Sequence, residues 1–119
     1  SACSGKETAV ARPDLVRRMA TNQLECDIAS LLPEGPEGFR EWMPFEGLGM
    51  GCGVWVVVDT KRLDWASNHG EFGWGGVANT VFWVDPVADA AVLFFTQVMP
   101  SSQLRLRNAL HQLAGKCLL

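Results

Sequence analysis

Phe72-Gly73-Trp74-Gly75-Gly76-Val77-Ala78-Asn79-Thr80-Val81-Phe82-Trp83-Val84-Asp85-Pro86 is the stretch that decides the fold. Thr80–Val84 is a β-branched and aromatic run, the composition of a strand. Asp85-Pro86 opens a turn. Ala90–Met99 then reads as a longer strand, apolar almost throughout. The first half, Phe72–Asn79, is short and glycine-rich. Three glycines in four positions beside a tryptophan weaken a strand, so close approach to this backbone is required. A bulge or tight packing against a neighbouring element is one explanation, and an approaching ligand is the other. Upstream, Val54–Val58 is a further strand ended by Asp59, and Thr60–Gly70 has a loop composition. Strands joined by turns this short pair antiparallel, because parallel pairing needs a long crossover. Runs this apolar are expected to be covered on both faces, or nearly so.

Outward from this sheet, Arg12–Thr21 reads as a short amphipathic helix. Pro13 suits the first helical position, Asp14 suits the positive end of the dipole, and Leu15, Val16, Met19 and Ala20 recur at helical spacing, with Asn22 as the stop. Leu31–Gly53 is a long irregular connection with three prolines and six glycines. Its end, Gly47–Gly53, matches no phosphate-loop pattern and reads as a strand with glycines on one face. After Pro100, Ser101 or Ser102 can cap a helix whose stripe is Leu106, Leu110, Leu113 and Cys117. The expected fold class is α+β: an antiparallel β-meander of three to four strands with an N-terminal and a C-terminal helix packed on it. Residues 1–11 read as a tail and 12–119 as one incomplete domain. A sheet with one covering helix leaves an apolar face that calls for a partner surface.

Composition bounds the function. The chain has 119 residues, room for one small domain, with 48% hydrophobic and 19% charged residues. A net charge of −3 gives no support to nucleic-acid binding. No apolar run reaches the roughly 20 residues of a membrane helix, and no signal core follows the start. The first residue, Ser1, leads us to expect a processed product or an excised piece. Cys3, Cys26, Cys52 and Cys117 contain no close pair, so no metal site is expected. They read as free thiols packed as small hydrophobes, with two disulfides the alternative, and they do not fix a compartment. No residue pattern calls for a cofactor.

Candidate chemistry is sparse. His111 lies among Leu110 and Leu113 of the terminal helix and reads as structural or solvent-facing. His69, in the loop before the glycine-rich segment, is nearer to any site. No G-x-S-x-G elbow is present. Asp59, Asp64, Glu71, Asp85 and Asp89 sit at strand ends and turns and read as solvated. Five tryptophans serve either a core or a stacking surface.

Gly73-Trp74-Gly75-Gly76, then Phe82-Trp83-Val84-Asp85-Pro86, then Phe94-Phe95-Thr96-Gln97 resembles the carboxyl-terminal part of the β-lactamase-related serine hydrolases. That family includes class C β-lactamases, D-alanyl-D-alanine carboxypeptidases and β-lactamase-like esterases. Leu15–Leu24 is similar to the family's helix before the glycine-rich strand, so the resemblance runs in order from about Pro13 to the end. It implies part of a β-lactamase/transpeptidase-like fold and acyl transfer, the hydrolysis of an ester or amide. The family's third active-site motif would be Trp74-Gly75-Gly76. Val77 would lend its backbone N–H to the oxyanion hole, a donor typically contributing about 2.7–4 kcal/mol. The glycines would let a bound acyl group lie along the strand.

Two departures qualify the resemblance. No serine or threonine has a lysine three residues later, and there is no tyrosine, so the family's Ser-x-x-Lys and Tyr-x-Asn motifs are absent. No catalytic residue is therefore assigned in this chain, and alone it is expected to be inactive. Trp74 stands where β-lactamases carry a cation, which tilts the parent toward an esterase or transacylase. The expected partners are the remainder of the hydrolase domain or a partner chain, an acyl or ester substrate, and further copies of the chain. The alternative is a non-catalytic binding or structural module that retains the scaffold.

Overall fold

Five short strands form one antiparallel sheet, in a computed structural model that describes residues 11–31, 45–100 and 106–118. In chain order the elements are α1 (Pro13–Met19), α2 (Ile28–Leu31), β1 (Leu48–Met50), β2 (Trp55–Val57), a 3-10 turn (Thr60–Arg62), β3 (Phe72–Gly75), β4 (Val81–Asp85), β5 (Ala90–Phe94) and α3 (Leu106–Leu118). The strands lie side by side in sequence order, each antiparallel to the next. The α+β class, the antiparallel meander and a helix towards each end are as the sequence reads. The strand count is five rather than three to four. The expected tail and the Ser101 or Ser102 cap fall largely or wholly outside the described residues, as does 32–44 of the long connection. No described helix is long and apolar enough to cross a membrane.

Strand limits follow from the pairing. Val81↔Phe94 is the last pair of the β4–β5 ladder, so β5 stops at Phe94 instead of running to Met99: beyond it β4 offers no backbone partner. Asp85 Oδ1 accepts from the N–H groups of Val87 and Ala88 at 2.9 and 3.0 Å, closing the turn between the two strands. Of the glycines in Gly47–Gly53, only Gly49 lies in β1. A Cβ there would strike the Asn22 amide. Asn22 accepts from Leu24 N and Met50 N at 3.1 and 2.9 Å, so the residue read as a helix stop also fastens the segment after α1 to the first strand.

Alternation splits the sheet into two unequal faces. Trp55, Val57, Val81 and Trp83 point to the inner face and build the main core with Leu48, Ile28 and Trp65. Leu110 and Ala114 of α3 pack on it. On the outer face, Val54, Val56 and Phe72 form a smaller cluster with Ala20, just after α1, and Val84. Towards β5 that face is the more open. Trp74↔Phe82↔Leu93 is a continuous cross-strand row, and all three side chains are exposed. Phe95, one residue past β5, is 77% exposed. The expectation that the apolar runs are covered on both faces is thus corrected for β5, whose side chains alternate between half-buried and exposed.

The helix stripe is corrected in part: Leu110 packs on the core as expected. Leu113 and Cys117 are exposed, and α3 turns Arg107, Leu110, His111 and Ala114 inward instead. These positions also recur at i, i+3, i+4 and i+7.

Candidate functional site

The β3–β4 hairpin carries the four residues singled out from the sequence. Gly76 N donates to Thr80 O at 2.8 Å, and Asn79 N donates to Gly76 O at 3.2 Å. Val77, Ala78 and Asn79 form the loop, with Asn79 at φ 62°, the left-handed position a three-residue hairpin loop needs. Asparagine tolerates it. Its side chain is buried, and Nδ2 donates to Val98 O at 3.3 Å, tying the hairpin tip to the chain beyond β5.

Structure separates the four residues by face. Trp74 points to the outer face, 40% exposed, between Phe82 and open solvent. Gly75, paired with Val81, faces α3. Gly76 and Val77 turn the corner, and the Val77 side chain is 47% exposed. The glycines answer to packing. A Cβ on Gly73 would run into Phe82 O, the Trp55 ring at 2.8 Å and Trp83 Cα at 2.9 Å. A Cβ on Gly75 would meet the Arg107 guanidinium at 2.7 Å, and one on Gly76 would meet Thr80 Oγ1 at 2.7 Å. Packing against rigid backbone therefore explains glycine at Gly73 without any ligand, whereas at Gly75 the neighbour is the end of the Arg107 side chain.

Arg107, in the first turn of α3, was not found from sequence. Its Nη2 donates to Gly76 O at 2.8 Å. Burial pushes its guanidinium pKa down. The only available signal was a basic residue one turn before His111, and nothing local says that this face of the helix meets the glycines.

His111 is buried, not solvent-facing. It stacks on Trp83 with ring centroids 3.9 Å apart and 19° between planes, and Trp65 and Trp55 flank it at 4.9 and 6.1 Å. Nδ1 meets Arg107 O at 3.1 Å and Nε2 meets Glu71 Oε1 at 3.2 Å. Glu71 and Asp85 are buried as well, correcting their reading as solvated turn residues. Each is satisfied locally: Glu71 by His111, and Asp85 by two backbone donors and by Asn68 Nδ2 at 2.8 Å. Glu71, Asp85, His111 and Trp83 border one small cavity. Both imidazole nitrogens are already engaged with protein oxygens, so this cluster is a joint between α3 and the sheet. The Trp65 indole N–H beside it is buried without a hydrogen-bond partner among the described residues.

His69 is exposed and does not join His111. Cys26 is half-buried, while Cys52 and Cys117 are exposed, so these free thiols are not all packed as small hydrophobes. Among the described residues no cluster of three or more His, Cys, Asp or Glu side chains could hold a metal ion.

The surface at the hairpin therefore combines an indole, a backbone corner and a row of exposed apolar side chains, and the Thr80 hydroxyl has no lysine or tyrosine among the hairpin residues to activate it. Comparison with known proteins returned no matching family model and no matching curated protein.

Proposed function

We propose that this chain is the carboxyl-terminal part of a β-lactamase-related serine hydrolase, contributing one wall of an acyl-transfer site and no nucleophile. One observation carries the reading: Trp74-Gly75-Gly76-Val77 lies past the last β2–β3 pair, Trp55↔Gly73, with Trp74 exposed in the apolar row; the family's motif is expected on a sheet edge, whereas β3 itself is central in this sheet. In this reading Val77 N–H donates to the substrate carbonyl oxygen as charge develops on it. Trp74 lines the acyl or leaving group with an apolar surface and offers no cation to a substrate carboxylate. The serine, its lysine and the tyrosine come from the remainder of the hydrolase domain or from a partner chain. That part would cover Trp74, Phe82 and Leu93.

The test is direct. The 119-residue chain should turn over no p-nitrophenyl ester above background, and the native polypeptide in its source should be well heavier than these residues and hydrolyse such esters. Gly76→Val in that longer chain should impair acyl transfer with the fold intact. Turnover by the 119 residues alone, abolished by a serine-directed inhibitor, overturns the reading. The second reading, a non-catalytic binding module, is favoured by the exposed row Trp74–Phe82–Leu93, a surface suited to an apolar ligand or partner. A native polypeptide of only this mass puts that reading first.

A further inference from the structure

We infer that Arg107 is a positioning residue, which fixes the Gly76–Val77 peptide plane so that the Val77 N–H points away from α3, toward a substrate oxygen. The inference rests on the acyl-transfer reading above. A trans peptide is planar, with its C=O and N–H pointing in opposite directions. The Gly76–Val77 bond is not among the cis bonds of the described residues. Holding the Gly76 carbonyl therefore also aims the Val77 N–H.

That carbonyl is held from two sides. Asn79 N donates to it at 3.2 Å from within the hairpin. Arg107 Nη2 donates to it at 2.8 Å from α3, on the inner side of the sheet. The hairpin bond moves with the hairpin, whereas the arginine bond anchors the plane to a separate element. Among the described residues, no protein acceptor takes the Val77 N–H. Among the described residues the donor is left unspent, which an oxyanion site requires.

Gly75 supplies the room. The guanidinium occupies the space a Cβ would fill, with Cζ and Nη2 each 2.7 Å from it. The adjacent glycines thus divide the work: Gly75 admits the arginine, and Gly76 presents the carbonyl it holds. Packing that needs no ligand to explain it nevertheless sets the direction of the one backbone donor the reading requires. Lysine would carry the charge without the planar fork that fits both the strand surface and the carbonyl.

Two measurements test this. In the 15N,13C-labelled 119-residue chain, residual dipolar couplings report the Gly76–Val77 plane. Arg107→Ala should reorient that plane and shift the Val77 amide resonance while amides of β1 and β2 stay in place. If Arg107→Ala does not fold, Arg107→Met, which keeps the apolar stem and removes every donor, serves the same test. An unchanged plane in a folded variant overturns the inference. In the native hydrolase, Arg107→Ala should lower kcat for ester hydrolysis about 10–100-fold at nearly constant KM, with Arg107→Lys intermediate. A reoriented plane with unchanged kcat also overturns the inference. In that case Gly76→Val tells the two failures apart: if it still abolishes turnover the acyl-transfer reading stands without Arg107, and if it does not the reading falls as well.

Discussion

His111 lies flat on Trp83, 3.9 Å between centroids, and its far nitrogen reaches Glu71 at 3.2 Å, so one side chain joins α3 to both β4 and the start of β3. Removing a single partner of a buried pair strands the other. His111→Ala should therefore cost about 3–5 kcal/mol, measured as a fall in the urea midpoint with the slope unchanged. Glu71→Leu combined with His111→Phe should recover most of that loss, because no buried polar group is left without a partner. A double variant as unstable as the sum of the single changes would show that the joint does not behave as a coupled pair.

Asp27 gives the fold an acid limit. It is buried and links three segments: Ser30 N donates to Oδ1 at 3.0 Å, Gly47 N to Oδ2 at 3.2 Å, and the Ser30 hydroxyl and Arg62 also bond to it. The Ser30 hydroxyl is the largest cause holding its pKa below the ordinary carboxylate value, against the opposing effect of burial. The Gly47 and Ser30 N–H groups and the Arg62 charge act in the same direction as the hydroxyl. A carboxyl depressed in the folded state contributes stability that is present above its unfolded value, about 3.9, and lost as pH falls through the folded value. Urea midpoints of the parent should fall on that acid side. Asp27→Asn should be less stable at pH 7 and flatter below pH 4, and equal acid slopes would show that Asp27 is not responsible.

Legibility in the sequence followed the range of the interaction. The antiparallel pairing of β3 with β4 and the β4–β5 turn were readable because the strands follow closely and Asp85 acts within a few residues of itself, whereas the loop at Val77–Asn79 was not separated from the glycine-rich stretch. The face of α3 was not, because its inward residues include Arg107 and His111, which a hydrophobic pattern counts as outward. Their partners, Gly76 and Glu71, lie 31 and 40 residues away. Glu71 and Asp85 look solvated for the same reason: a carboxylate at a strand end betrays its burial only through the element packed above it. Trp74 was legible as part of a motif, but its exposure depends on the row Phe82 and Leu93 set beside it.

Two glycines outside helices should lose different amounts of stability on substitution by alanine, for separable reasons. At Gly73 a Cβ has no room between Phe82 O, the Trp55 ring and the Trp83 backbone, where rigid backbone cannot yield. Gly73→Ala should cost about 1–3 kcal/mol or more through forced sheet separation. Gly53 has nothing within 4 Å of a new Cβ and is limited only by its φ of +81°. Gly53→Ala should cost about 1 kcal/mol, from the left-handed backbone alone. Thermal unfolding of both variants checks the ranking, and equal losses would mean that β3 and β4 shift enough to relieve the contact at Gly73.

The outer sheet face should govern behaviour in solution. Leu93 is 62% exposed near the end of the edge strand β5, at the end of the Trp74–Phe82–Leu93 row, and Phe95 extends the patch past the strand. The 119-residue chain should therefore self-associate, with a sedimentation coefficient that rises with concentration. Leu93→Lys with Phe95→Lys places charge on the open face and an unpaired edge, where natural sheets use lysine to prevent pairing. That variant should sediment as a monomer with the fold unchanged by circular dichroism, because neither side chain belongs to the inner core. Concentration-dependent association that survives both lysines would place the sticky surface elsewhere, leaving α1, with Leu15 and Met19 exposed, as the next face to charge.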